Sequence, residues 1–239
     1  MPPHPPLPSS PADAEARRLA AAYAGREAAV HDSPSDPAQR WTLADRERRT
    51  LALLSRESLG SLANTRILEV GCGTGTWLRD LVRWGASPVN VFGVEILPAR
   101  AAEARRSVAP GVTVLDGDIA ALEFPDASFD LVIQSTVFSS ILDPERRRRT
   151  AAEMRRVLRP DGLILWYDLA MDNPRNPNVR GVSRAGISSL FPGCRVLAER
   201  ITLAPPIARA LAPHAPWACT LLNAFPFLRT HLLAAIRPA

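Results

Sequence analysis

The sequence predicts an α/β fold built on a parallel, doubly wound sheet. From Arg66 onward, short apolar runs alternate with helical stretches, and strand–helix alternation brings each strand back parallel to the one before. The runs "RILEV", "VNVFGVEI", "FDLVIQST" and "LILWYDL" are almost continuously apolar, as in strands covered by helices on both faces. The first run ends in three glycines within five residues, "GCGTG", a turn that leads from a strand into a ligand-facing helix. With 239 residues, 46% hydrophobic and 22% charged, one such domain can bury a full core.

Each element has its own signal. Residues 1–12 are proline-rich, without a basic start or an apolar stretch, and are expected to form a disordered arm rather than a secretory signal. "DAEARRLAAAYAGREAAV" reads as an alanine-rich helix from Asp13 to about Val30. "HDSPSDPAQ" breaks it, and a second helix is expected from about Leu43 to Leu59. Residues 13–62 are therefore assigned to an N-terminal helical cap, and 63–239 to the sheet domain. Strand one is "RILEV", followed by a helix, "TWLRDLVRWG", ended by Gly85. Strand two is "VNVFGVEI", followed by "PARAAEARRSV", a helix with proline in its first turn. "VTVLDGD" and "FDLVIQST" are strands three and four. "PERRRRTAAEMRRVL" is a helix ended by "RPDG", "LILWYDL" is strand five, and "SRAGISSLF" is a helix capped by Ser183. "CRVLAERITLA" and "LRTHLLAAI" are the last two strands, with an apolar, proline-broken helical insertion near 204–228 between them.

The net charge of +5 invites a nucleic-acid reading. All 29 basic residues are arginine, however, which together with abundant Ala and Pro reads as compositional bias. The densest run, "ERRRR" at 145–149, is read as a solvated helix face, with a phosphate-binding patch as the alternative. Cys72, Cys194 and Cys219 form no C-x-x-C pair, which points to a reducing cytoplasm rather than a disulfide frame. His4, His31, His214 and His231 have no ligand spacing, so no metal is expected. No run of 18 apolar residues marks a transmembrane helix.

Two cofactor classes compete for Gly71, Gly73 and Gly75. A dinucleotide site wants G-x-G-x-x-G, whose third glycine would fall on Thr76; the loop here is G-x-G-x-G. Glu69 lies two residues before the loop, at the carboxyl end of strand one, where open α/β sheets bind ligands. A carboxylate there repels a pyrophosphate and attracts a cation. S-adenosylmethionine, with a sulfonium and an ammonium against one carboxylate, suits it better. Glu95 ends strand two, where it could accept both ribose hydroxyls. Asp118, after strand three, could accept the adenine amino group beside the backbone of Ile119.

"ILEVGCGTGTWL", "VFGVEILPARAAEARR", "GDIAALEFPDASFDLVIQS" and "EMRRVLRPDGLILW" resemble, in order, the successive motifs of class I S-adenosylmethionine-dependent methyltransferases of the small-molecule type, over about residues 64–168. The resemblance implies a Rossmann-like, seven-stranded, mostly parallel sheet whose last strand, "RTHLLAAI", is antiparallel. It implies that Glu69, Gly71, Cys72, Gly73 and Gly75 hold the methionine part, Glu95 and Ile96 the ribose, and Asp118 and Ile119 the adenine. Gln134 and Ser135, in "IQSTVF", would line the methyl-transfer site.

Methyl transfer is an in-line displacement that depends heavily on proximity. An alcohol acceptor also wants a base. His31, Tyr23 and Asp168 are the candidates for catalysis. Trp41, Ser135, Tyr167, Asp172, Asn173 and Arg180 are candidate acceptor contacts, the last three in the polar loop after strand five. No N-P-P-Y follows strand four, and no cysteine pair of the cytosine-5 type is present, so a small organic acceptor is expected, with oxygen as the preferred atom. The rivals are an RNA or protein methyltransferase using the arginines, and a non-catalytic cofactor-binding protein. Three readings are open for 204–228: a cover for a hydrophobic acceptor pocket, shallow contact with a membrane carrying a lipid acceptor, or ordinary core and dimer packing. A monomer or homodimer would serve.

Overall fold

The structure, a computed structural model, describes residues 11–24, 35–174 and 176–239. The arm before residue 11, the segment holding His31, and Arg175 lie outside the described residues. So does the side chain of Tyr23, whose backbone is in the first helix.

Seven strands form one sheet: β1 (Ile67–Val70), β2 (Val91–Glu95), β3 (Thr113–Asp116), β4 (Phe129–Ser135), β5 (Leu158–Leu169), β6 (Cys194–Leu203) and β7 (Arg229–Pro238). Their spatial order is β3-β2-β1-β4-β5-β7-β6. The first five pair in parallel. The last strand, β7, runs antiparallel to both neighbours, β5 and β6. The helices are α1 (Pro11–Ala24), α2 (Pro37–Arg56), α3 (Thr76–Arg83), α4 (Pro98–Ser107), α5 (Pro144–Val157), α6 (Arg184–Leu190), α7 (Pro205–Leu211) and α8 (Pro216–Leu222). Among the described residues no helix is long and apolar enough to cross a membrane.

Alternation along each strand sorts the core into two layers. Leu68, Val132, Ile164 and Trp166 pack on the side of α5 and α6 with Met154 and Ile187. Ile67, Leu131, Leu163 and Leu165 pack on the other side with Leu54 of α2, Leu78 of α3 and Ala101 of α4. The second half of the N-terminal segment therefore shares a core with the sheet. A third, small cluster joins Ala38 to Leu203, Ala208, Ala212 and Cys219, where α7 and α8 lie against the start of α2.

Three boundaries differ from the sequence reading. Helix α1 starts at Pro11, two residues early. Helix α2 starts at Pro37 rather than near Leu43, because the Asp36 side chain accepts the Ala38 N–H and proline fills the first turn, a strong start signal. The "RPDG" stretch does not separate α5 from strand five. Leu158 already pairs with Phe129, and the register then shifts before Leu131 meets Leu163.

Candidate functional site

A cleft of about 280 Å³ opens at the carboxyl ends of β1, β2 and β4. Glu69, Gly71, Cys72, Gly73, Glu95, Ile96, Ile119 and Ser135 line it, so eight of the residues singled out from the sequence come together. The glycine loop makes this geometry. Gly71 has φ +69, and a Cβ there would lie 2.6 Å from a methyl of Val137 on the opposite wall. Only glycine turns the chain here without closing the cleft. Gly75 lies in the left-handed region and caps α3.

Glu69 shares a face of β1 with Ile67, in an otherwise apolar layer. Its carboxyl is buried, and among the described residues no donor reaches Oε2. Burial pushes it well above the usual carboxylate range, and Arg46 opposes that shift. A buried, unsatisfied carboxylate facing a cavity is costly unless a cationic or donor group meets it. Arg46 faces the same cleft from α2. Its guanidinium lies 4.5 Å from the Trp77 ring centroid and 3.2 Å from Asp80. Glu95 accepts the Gly73 N–H at 2.8 Å and the Leu97 N–H at 2.9 Å. Each oxygen keeps a lone pair for a further donor. Thr136, at the end of β4, lines the cleft with φ +55.

The other singled-out residues are placed elsewhere. Asp118 is half-buried behind the wall, accepting the Ala120 N–H and the guanidinium of Arg146. Arg146 itself lines the cleft and is almost fully buried. Arg147 donates to the carbonyls of Ile141 and Arg180. The solvated-face reading of 145–149 therefore holds for Arg148 and Arg149 and fails for these two, whose side of α5 turns inward. Gln134 is buried and accepts the Val137 N–H at 3.2 Å, shaping the turn after β4. Asp168 is buried under the same turn, accepting the Ser139 N–H at 3.1 Å and the Leu169 N–H at 2.8 Å, and burial pushes it up to about 6. Tyr167 points into the core, bonds Thr202 Oγ1 at 3.0 Å and stacks on His231 with ring centroids 4.8 Å apart. Trp41 packs against the small cluster beneath α7. Asp172 holds a turn by accepting the Gly181 N–H. Asn173 and Arg180 are exposed on the same loop, and Arg180 is tied in by its backbone. Apart from Arg146, none of these lines the cleft.

The sequence reading missed Glu15 and Leu19 of α1, and Gln39, Leu43 and Arg46 of α2, all cleft-lining. The signal was helical spacing: i, i+4 in α1, and i, i+4, i+7 in α2. No residue of 204–228 lines the cleft, so the insertion does not cover it.

Known proteins agree with this architecture. Residues 67–162 match the methyltransferase domain family. Over 113 residues the chain is 37% identical to a phthiotriol/phenolphthiotriol dimycocerosates methyltransferase of Mycobacterium ulcerans, covering 47% of this chain and 40% of that protein. It is 29% identical over 122 residues to a malonyl-[acyl-carrier protein] O-methyltransferase of Paenibacillus, covering 48% and 42%. The chain thus spans less than half the length of these curated relatives. The structure of magnesium protoporphyrin IX methyltransferase from Synechocystis with bound S-adenosylmethionine superposes with a TM-score of 0.61 at 16% identity, covering 98% of this chain and all of that one. Residues 67–162 thus match a methyltransferase domain, set in a Rossmann-like fold shared with that structure.

Proposed function

We propose that this protein transfers a methyl group from S-adenosylmethionine to a small organic acceptor, with oxygen as the preferred atom. The observation that carries the reading is Glu69, a buried carboxyl at the end of β1 that faces the cleft and whose Oε2 meets no donor among the described residues. The residues present fit the cofactor. Glu69 meets the methionine ammonium, and Arg46 its carboxylate. Glu95 accepts the ribose hydroxyls beside Ile96. Ile119 gives the adenine an apolar wall, while Arg146 fixes the Asp118 carboxylate behind it. When bound, the cofactor supplies a methyl on an electron-poor sulfur.

The chain's task is then to orient an acceptor and exclude water. Ser135, Thr136 and Ser140 lie on one side of the remaining space, and Glu15, Leu19 and Leu43 on the other. Glu15 is paired with Arg18, and it is the carboxylate placed to take a proton from a hydroxyl. The acceptor class is supported by the relatives' names, one an O-methyltransferase of malonyl-[acyl-carrier protein] and one a methyltransferase of phthiotriol/phenolphthiotriol dimycocerosates. The RNA reading is weakened because Arg146 and Arg147 are engaged by the protein's own carboxylate and carbonyls.

Calorimetry with S-adenosylhomocysteine tests the site. Burial favours the proton on Glu69 and a bound ammonium disfavours it, so affinity should rise with pH. The heat of binding should vary with the buffer's ionisation enthalpy in the wild type and not in Glu69→Gln. That variant should also bind about 1.5–3 kcal/mol more weakly. Tighter binding of NAD than of S-adenosylhomocysteine would overturn the reading.

A further inference from the structure

Among the described residues, the large exposed apolar side chains concentrate in one place. Trp217 is 71% exposed, Leu221 59%, Phe225 45% and Phe227 74%. Trp217 and Leu221, four apart on α8, share its outer face. The Phe225 and Phe227 rings follow, with centroids 5.7 Å apart. The exposure is built in. The opposite face of α8 is anchored through Cys219, fully buried against Leu203 and Ala208, so the fold cannot bury both sides.

The stretch of sequence that builds this patch carries charge of one sign. From residue 200 to 239 the sequence contains no Asp or Glu, while Arg200, Arg209 and Arg229 fall close to the patch; Arg237 lies at the far end of β7, paired with Glu57. Helix α8 has seven residues, far too few to span a bilayer. An indole and two phenyl rings beside arginines, with the adjacent Asp45 carboxylate buried and bonded to Asn223 and Arg49, match the headgroup zone of a membrane.

We propose that residues 216–227 form a docking face for an anionic phospholipid surface, entered shallowly by Trp217 and Phe227. Docking stands independently of the methyl-transfer reading. Its position gives it a use if that reading holds. Helix α2 packs against this insertion through Ala38 and Trp41 and lines the cleft through Gln39, Leu43 and Arg46. The docked surface is therefore one helix away from the cleft, suited to an acceptor drawn from a membrane.

The test is flotation of the full chain with vesicles of phosphatidylcholine alone and of phosphatidylcholine with phosphatidylglycerol, at low and high salt. The wild type should float with the anionic vesicles at low salt and largely remain below with the neutral ones. Trp217→Ser with Phe227→Ser should lower binding by roughly tenfold or more, with circular dichroism and S-adenosylhomocysteine affinity unchanged. Arg209→Glu, which leaves the aromatic rings in place, should lower binding at least about fivefold. Brominated lipid should quench wild-type tryptophan emission, and quenching should be lost in Trp217→Phe while flotation persists. The proposal is overturned if the wild type fails to float with anionic vesicles, or if the double variant floats as well as the wild type. It is also overturned if sedimentation shows a dimer that the double variant dissolves while vesicle binding is absent; the patch then meets a second copy.

Discussion

His231 shows how a single half-buried side chain sets a pH response. It stacks on Tyr167 in a buried layer, and burial lowers it from 6.5 to about 4, with Arg46 adding to the shift. The ring is neutral in the fold, so its contribution is fully present above pH 6.5 and is lost as pH falls toward 4. Over that range it amounts to roughly 3 kcal/mol. Asp168 acts oppositely: raised from 3.8 to about 6, its contribution is present below about 4 and gone by 6. The two oppose between pH 4 and 6, so wild-type stability alone hides them. Urea unfolding of His231→Phe beside the wild type should separate them. The wild type should lose stability relative to the variant as pH falls, by up to about 1.4 kcal/mol per pH unit; a gap that does not change with pH would refute the assignment. The same scale explains what was readable. Glu69, Glu95, Ile96 and Ile119 were legible because a strand end fixes where its last residues lie. Tyr167 and Asp168 were misplaced because successive residues of a strand leave on opposite faces of the sheet, here into two buried layers rather than into the cleft.

At the scale of elements, the glycine loop is held by a contact beneath it. Gly93 lies in the middle of β2, and a Cβ there would lie 2.8 Å from Cys72 Sγ and 2.9 Å from Leu78. The strand leaves room for the loop's thiol and the first turns of α3. Burial accordingly pushes the Cys72 thiol above its ordinary range, which makes it a poor nucleophile. Gly93→Ala should destabilise the fold by about 1–3 kcal/mol through overpacking. Adding Cys72→Ala should recover part of that loss, and thermal melts of the two single variants and the double variant decide it. Strict additivity would mean the two do not touch. The strands and the order of helices were legible from apolar runs and capping residues. The start of α2 was not, because proline at Pro37 was read as a breaker when, after Asp36, it begins a helix.

At the scale of the molecule, the cleft is made by segments far apart in sequence. Helix α1 supplies Glu15 and Leu19, and the Arg18 guanidinium reaches the Ser140 carbonyl. The helical spacing of Glu15 and Leu19 puts them on one face, but which surface that face meets depends on packing across more than a hundred residues. Helix α2 belongs to the core, so removing α1 alone is the cleaner cut. A chain lacking residues 1–34 should keep its affinity for S-adenosylhomocysteine within about tenfold, or 1.4 kcal/mol, while amide exchange in the 137–141 turn accelerates. Loss of binding in a folded, truncated protein would move α1 into the cofactor site.

The placement of β7 bears on how the protein is made. This strand, Arg229–Pro238, lies between β5 and β6 and is paired on both sides. On the ribosome β6 is synthesised before the strand that will hold it, and β5 offers an open edge until β7 arrives. At roughly 5–20 residues per second, the 25 residues of 204–228 impose a wait of a few seconds before β7 begins to emerge. During that wait an incomplete sheet is open to pairing with other nascent chains. The codons of β7 must be read promptly for the sheet to close, and a stop introduced before Arg229 would leave β6 without its neighbour.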